Sequence, residues 1–379
     1  MFFLKRIVLH LTLIFPILLL SYVHAAEIVV AQVAAFSGPI GPYGVQTHLG
    51  ASVLFASVNA KGGVNGSKIR FVARDDKMNP KVTVALFEEV AREEKPVAFL
   101  YPIGPESISA LLQQSFPEKQ GIPILGTIPS AYKPGDPVRP YTFHVGVGDS
   151  AEITRIVEHI ATLGIQKIGI VHWSAPTGIE AAKLVEREAS KRKIDVIVKA
   201  TVEVGTSRVG PALAAIRNAK PSATIVFLPV DATGAFVKGL REAKDTSSVY
   251  ALSYTESSLL VQFAGANNVQ GVGISQIVPN PFVGASALLK EYQEDMRRFA
   301  PKDANFSSLS FEGYIAAKIL VEGMRRAGPT INGNTVKTGL EKLQNIDLGG
   351  LIMNYDPENH VALKFQNIGA VRANGRLAF

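Results

Sequence analysis

An α/β architecture of two doubly wound lobes is what this sequence predicts, and three observations carry it. Short β-branched runs alternate with amphipathic stretches along most of the chain, which implies βαβ units and mostly parallel sheets. The alternation restarts after Ser150, so a second block follows the first. The 379 residues, less an N-terminal leader, leave roughly 350, enough for two domains.

The elements follow in order. Residues 28–33 read as a strand, 47–60 as a helix and 69–73 as a strand. Gly62-Gly63, just past Ala60, stop the first helix and start a turn. A helix over 82–93 begins near Pro80, with Asn79 in front of it to satisfy free amides. A strand over 97–100, a helix over 107–116 and a strand over 123–125 complete the first block. In the second, Asp149-Ser150 precede a helix over 151–163. Strands over 167–171, 194–200 and 223–228 then alternate with helices over 178–191, 209–219 and 233–243. Later come strong helices over 286–299 and 310–328. A hairpin follows over 351–355 and 361–366, turning at Asp356-Pro357-Glu358-Asn359.

The N-terminus has the layout of a secretory signal peptide over residues 1–26. Lys5 and Arg6 precede an apolar run over 7–20, and small residues at 23–26 offer a cleavage point. Pro16 breaks that run, and it is shorter than the ~20 apolar residues a span needs, so the mature chain is expected not to insert in a membrane. No cysteine follows the leader, which argues against a lipid-anchored mature form. The net charge of +7 drops to +5 without Lys5 and Arg6 and is spread along the chain. That pattern suits solvated helix faces rather than nucleic acid. With no cysteine in the chain, disulfides, thiol catalysis and Cys-ligated metals are excluded.

Catalytic signatures are missing. There is no HExxH, no GxSxG and no phosphate-loop GxxxxGK[ST], and Gly38, Gly41 and Gly44 do not make GxGxxG. The histidines outside the leader, His48, His144, His159, His172 and His360, are not paired at metal-ligand spacing. Asp75-Asp76 fit a turn or capping role, because adjacent residues at a strand end point to opposite faces. No enzyme, no cofactor and no metal is expected.

Several short motifs carry a resemblance. They are Phe36-Ser37-Gly38-Pro39-Ile40-Gly41-Pro42-Tyr43-Gly44, Asn59-Ala60-Lys61-Gly62-Gly63-Val64-Asn65-Gly66, Asp75-Asp76 and Asn79-Pro80. Ile168-Gly169-Ile170-Val171-His172 with Gly178, and Ala264-Gly265 with Gly271-Val272, extend it into the second block. Together they resemble the type I periplasmic solute-binding proteins of the branched-chain amino acid (Leu/Ile/Val-binding) ABC transporter class. The resemblance implies two Rossmann-like lobes joined by a three-crossing hinge, with crossings near His144, Val278 and Asp347. Lobe 1 would hold 27–145 and 279–346, and lobe 2 would hold 146–278 and 347–379.

The same resemblance places a ligand between the lobes. Loops at the carboxyl ends of the strands are also where an open α/β sheet holds ligands, against helix N-termini suited to a carboxylate. Tyr43 matches a pocket-lining ring. Gly104 stands where relatives have a carboxylate-holding hydroxyl, so only a backbone amide serves there. Ser107, three residues on, supplies a hydroxyl or caps its helix. Ser130 matches the next hydroxyl position. Thr177 stands where an aromatic residue often precedes the helix-opening Gly. The acidic partner for an α-amino group is not evident; Asp231 and Glu256 are the substitutes, and Asp231 equally caps a helix. Phe36, Tyr43, Tyr101 and Tyr254 offer apolar walls.

The reading that follows is an exported, periplasmic subunit of an ABC importer, working with a membrane permease. It would capture an amino acid or a non-amino aliphatic or aromatic carboxylic acid by hinge closure. A ligand sensor of the same fold acting on a receptor or regulator is the alternative; an exported α/β enzyme ranks last.

Overall fold

The run Ile28-Val29-Val30-Ala31-Gln32-Val33-Ala34 has only Gln32 to recommend it to water, and it forms β1 (Ile28–Ala34), buried throughout. Such a strand belongs in the middle of a parallel sheet covered on both faces. The computed structural model describes residues 27–127 and 137–379; the predicted leader and Ser130 lie outside them. β1 pairs in parallel with β2 (Ile69–Asp75) on one side and β3 (Ala98–Leu100) on the other. β4 (Ile124–Leu125) and β5 (Thr142–Phe143) extend the sheet, giving the order β2-β1-β3-β4-β5.

The second block repeats that order. β6 (Lys167–Trp173), β7 (Asp195–Val202), β8 (Ala223–Phe227), β9 (Ser248–Ala251) and β10 (Gly273–Gln276) are parallel and lie as β7-β6-β8-β9-β10. Both sheets therefore reverse winding beside their first strand, which creates a crevice at the carboxyl ends of β1 and β3 and another at those of β6 and β8.

Helices fill the connections: α1 (Gly41–Ala60), α2 (Pro80–Glu93), α3 (Pro105–Gln113) and α4 (Phe116–Gln120) in the first block, and α5 (Asp149–Thr162), α6 (Pro176–Lys191), α7 (Gly210–Ala219), α8 (Val230–Glu242) and α9 (Ser257–Ala264) in the second. α1 starts six residues earlier than the sequence predicts, because Pro42 sits in the first turn, where its missing amide costs nothing. Asn79 caps α2 as expected, its side chain accepting from the Lys81 and Val82 amides. α5 also starts early: Gly148 takes the cap and Asp149 lies inside the first turn.

The chain then adds α10 (Ala287–Phe299) and α11 (Ser308–Arg326), which pack on α1, and α12 (Gly333–Leu340), which packs on α11. Close approach of α1 and α11 depends on Gly50, where a Cβ would stand 1.7 Å from the Ser310 carbonyl oxygen. β11 (Ile346–Asp347) and β12 (Ile352–Met353) pair with each other, and β13 (Asn367–Val371) and β14 (Leu377–Ala378) join β10 as antiparallel strands, completing a seven-stranded sheet.

The predicted hairpin over 351–366 is a correction. Its turn exists, with Asp356 and Asn359 exchanging backbone hydrogen bonds of 3.0 and 3.1 Å. Its strands are not partners: β12 pairs with β11, and Val361 bridges to His144. The Ala362 and Leu363 amides donate to the carbonyls of His144 and Val145 at 2.9 Å. That segment is buried along the first crossing between sheets, a long-range partner that local alternation does not reveal.

Candidate functional site

The two crevices face one cavity, whose volume is about 510 Å³ including the part open to solvent. Its wall comes from the carboxyl ends of four strands and the connections and helix starts that follow them: β1 (Ile40, Tyr43), β3 (Ile103, Gly104, Pro105), β6 (Trp173, Thr177, Gly178) and β8 (Leu228, Pro229). Phe227, Tyr254, Ala181 and Asp149 complete it. The wall is apolar and aromatic with few polar groups, the usual make-up of a small-molecule site.

Tyr43 spans the two blocks. Its hydroxyl accepts a hydrogen bond of 3.0 Å from the Val230 amide, the first residue of α8. Both residues are buried, Tyr43 to 3% exposure and Val230 to 0%. The Tyr43 ring lies 6.2 Å from that of Tyr254, tilted by 47°. Burial pushes both hydroxyls above the ordinary tyrosine range, so each keeps its proton.

Four of the eight residues singled out from the sequence line this cavity: Tyr43, Gly104, Thr177 and Tyr254. Gly104 caps α3 with a φ of 107°, a conformation that strains other residues. The other described ones lie elsewhere. Ser107 is buried behind the wall, sharing a 2.7 Å hydrogen bond with the Thr83 hydroxyl, which donates to Asp76 Oδ2 at 2.7 Å. The Tyr101 hydroxyl donates to Glu312 Oε1 at 2.8 Å, and its carbonyl accepts from Gln32 Nε2. Its ring borders a separate small cavity with Thr127, His144, Ile277 and Glu312. Asp231 accepts from the Ser207 hydroxyl at 2.6 Å and faces a small cavity behind Trp173 and Pro229. Ser130 falls outside the described residues. Glu256 caps α9, accepting from the Ser258 and Leu259 amides at 2.8 and 3.0 Å. Phe36 stands edge-on to His48, its ring 5.6 Å away.

Sequence reasoning missed Asp149 and Trp173. Asp149 reads as a helix-start residue in any α/β chain. Trp173 is the sole tryptophan, at the carboxyl end of a strand flanking a switch point, and that pairing was a usable signal. Near Asp149, Glu152 is buried and satisfied: it accepts from the Ser253 amide at 2.9 Å, the Ser253 hydroxyl at 3.0 Å and the Ser275 hydroxyl. Burial raises its carboxyl above the usual range. Asp75 and Asp76 fill the turn role read from sequence, accepting from the Phe36, Lys77 and Met78 amides. Among the described residues no three or more His, Cys, Asp or Glu are grouped to hold a metal ion. Nor is any helix there long and apolar enough to cross a membrane.

Two doubly wound sheets whose five-stranded parallel parts have the same winding, facing one cavity through their switch points, define the type I periplasmic binding protein fold. The chain belongs to the periplasmic binding protein family, whose model matches residues 27–375. A Leu/Ile/Val-binding protein of Citrobacter freundii is 32% identical over 177 residues, 46% of this chain and 47% of its own length. The match thus spans about half of the curated relatives' length. The crystal structure of a substrate-binding periplasmic protein from Ralstonia solanacearum is similar at 27% identity and a TM-score of 0.87, covering 93% of this chain and 99% of that one. A branched-chain amino acid ABC transporter structure from Thermus thermophilus with bound valine has a TM-score of 0.81, covering 93% of this chain and 95% of its own. At 18% identity it shares the fold.

Proposed function

We propose that the protein is the extracytoplasmic solute-binding subunit of an ABC importer, exported by a cleaved leader over residues 1–26 and delivering its ligand unchanged to a membrane permease. The ligand is a small, largely apolar solute bearing a carboxylate. The supporting observation is the cavity at the paired switch points, closed on one side by the Tyr43–Val230 hydrogen bond. Helices α3 and α6 begin on its wall, at Pro105 and Pro176 beside Gly104 and Thr177. Their first-turn amides and positive dipole ends favour a carboxylate there, each by roughly 0.3–1 kcal/mol. Capture proceeds by lobe closure over the ligand.

Isothermal titration of the mature chain against amino acids and aliphatic and aromatic acids tests this. Saturable one-to-one binding, with a smaller radius of gyration in solution scattering at saturation, is the expected result. An unchanged radius at saturation would refute hinge closure, and no binding from any class would refute the reading. Because Trp173 is the sole tryptophan and lies on the cavity wall, ligand should also change its emission.

A further inference from the structure

A second, smaller chamber lies beside the cavity at the switch points, with a volume of about 210 Å³ including the part open to solvent. Trp173, Leu228 and Pro229 line both chambers, so these three residues form the partition between them. Leu228 and Pro229 are fixed through their main chain: their carbonyls accept from the Thr233 hydroxyl at 3.1 Å and the Thr233 amide at 2.8 Å. Trp173 brings the largest side chain of the three. It ends β6 in register with Val202 of β7, and the Ser174 amide continues that ladder, donating to the Val202 carbonyl at 2.8 Å. The ring edge lies against the first turn of α6, where a Cβ on Gly178 would stand 2.5 Å from Trp173 Cδ1 and 3.1 Å from Nε1. With a strand holding its backbone and a helix start beside its ring, Trp173 is a fixed wall rather than a mobile flap.

The two chambers differ in character. Ile40, Ile103, Phe227 and the rings of Tyr43 and Tyr254 make the larger one apolar. The smaller one carries Glu203, Thr206 and Asp231, and Asp231 Oδ1 is buried with no hydrogen-bond partner among the described residues. An apolar chain gains about fourfold in affinity for each methylene it buries in the larger chamber. That gain stops where the chain meets the Trp173 ring.

We propose that Trp173 sets the length of solute this protein accepts, its ring stopping the solute's apolar chain short of the second chamber. This rests on the solute-binding reading above. Shortening the side chain joins the two chambers and lengthens the solute that fits, because Pro39, Val202, Leu228 and Pro229 offer apolar surface beyond the ring.

The test is calorimetric titration of the mature protein with two straight-chain series: butanoate, hexanoate, octanoate and decanoate, and norvaline, norleucine and 2-aminooctanoate. On the parent, affinity should climb along the series that binds and then fall at least tenfold at the first chain too long for the cavity, the scale of an overpacked site. Trp173→Ala should move that break to a longer member of the same series. Trp173→Leu should do so too, which keeps the inference testable if the alanine variant folds poorly. On the parent, which needs no variant, Trp173 emission should change most with the member just before the break. A break at the same member in the parent and in a folded variant overturns the inference and leaves the solute-binding reading intact. So does affinity that climbs through a whole series on the parent, an emission change equal for every member, or binding confined to branched or aromatic acids. Absence of binding by both series, and by every other class titrated, overturns both.

Discussion

Tyr43→Phe isolates the hydrogen bond that joins the two halves of the cavity. The substitution keeps the ring on the wall and removes only the hydroxyl that accepts from the Val230 amide at 3.0 Å. Val230 is fully buried, so in the closed form its N–H would be left without a partner, at a cost of about 1–3 kcal/mol. In an open form the amide meets water and the cost vanishes. The penalty therefore falls on closure alone, and apparent affinity should drop roughly 5- to 150-fold. The assay is calorimetric titration of parent and variant with the same ligand, together with thermal unfolding of both without ligand. Affinity within twofold of the parent would refute the idea that this bond stabilises closure. A loss of affinity matched by an equal loss of ligand-free stability would assign the bond to lobe packing instead.

Three further outcomes are expected. Gly50→Ala would drive a Cβ to 1.7 Å from the Ser310 carbonyl oxygen, so α1 and α11 must part; overpacking of this kind costs about 1–3 kcal/mol, read as a lower urea midpoint with unchanged slope. Gly178→Ala would place a Cβ 2.5 Å from the Trp173 backbone and ring, displacing a wall of the cavity; ligand affinity should fall at least tenfold, in line with a ~1.4 kcal/mol penalty, and Trp173 emission should shift without ligand. Glu312→Gln should change the pH dependence of stability. Burial raises the Glu312 carboxyl from 4.5 to about 8, so between those values the folded state holds a proton that the unfolded state releases. Stability then falls as pH rises through that window, by at most about 1.4 kcal/mol per pH unit. The glutamine variant lacks this loss, and superimposable pH profiles for the two proteins would refute the assignment.

β1 to β4 and β6 to β8 were legible because β-branched runs such as Ile28–Ala34 have only one use in a globular chain, whereas the short strands β5, β9, β10, β13 and β14 were not. The position of the cavity was legible too, since a doubly wound sheet fixes where its switch point lies. What escaped was anything set by a distant partner. Gly41, Pro42 and Gly44 read as loop, yet they open α1, and Gly44 is needed where a Cβ would stand 2.2 Å from the Ala35 carbonyl oxygen. Val361 found His144 rather than a hairpin neighbour. Within the site, sequence gave the loop but not the direction of each side chain. Tyr101 lies in the connection from β3 and Ser107 in the first turn of α3, both beside the cavity, and both turn inward because Glu312 and Thr83 offer them buried partners.

Those inward contacts hold the shape of the wall around Gly104. The connection from β3 to α3 is conformationally demanding: Tyr101 has a φ of 42° and Gly104 one of 107°. Left-handed backbone at a tyrosine is uncommon and costs about 1–3 kcal/mol unless its surroundings hold it. Here they do so at both ends. Gln32 and Glu312 fix Tyr101, while the chain from Asp76 through Thr83 fixes Ser107. The loop between is left with Ile103, Gly104 and Pro105 to face the cavity. Polar side chains that a ligand would otherwise meet are spent on holding that backbone in place. From this side the cavity therefore presents main-chain amides and apolar surface.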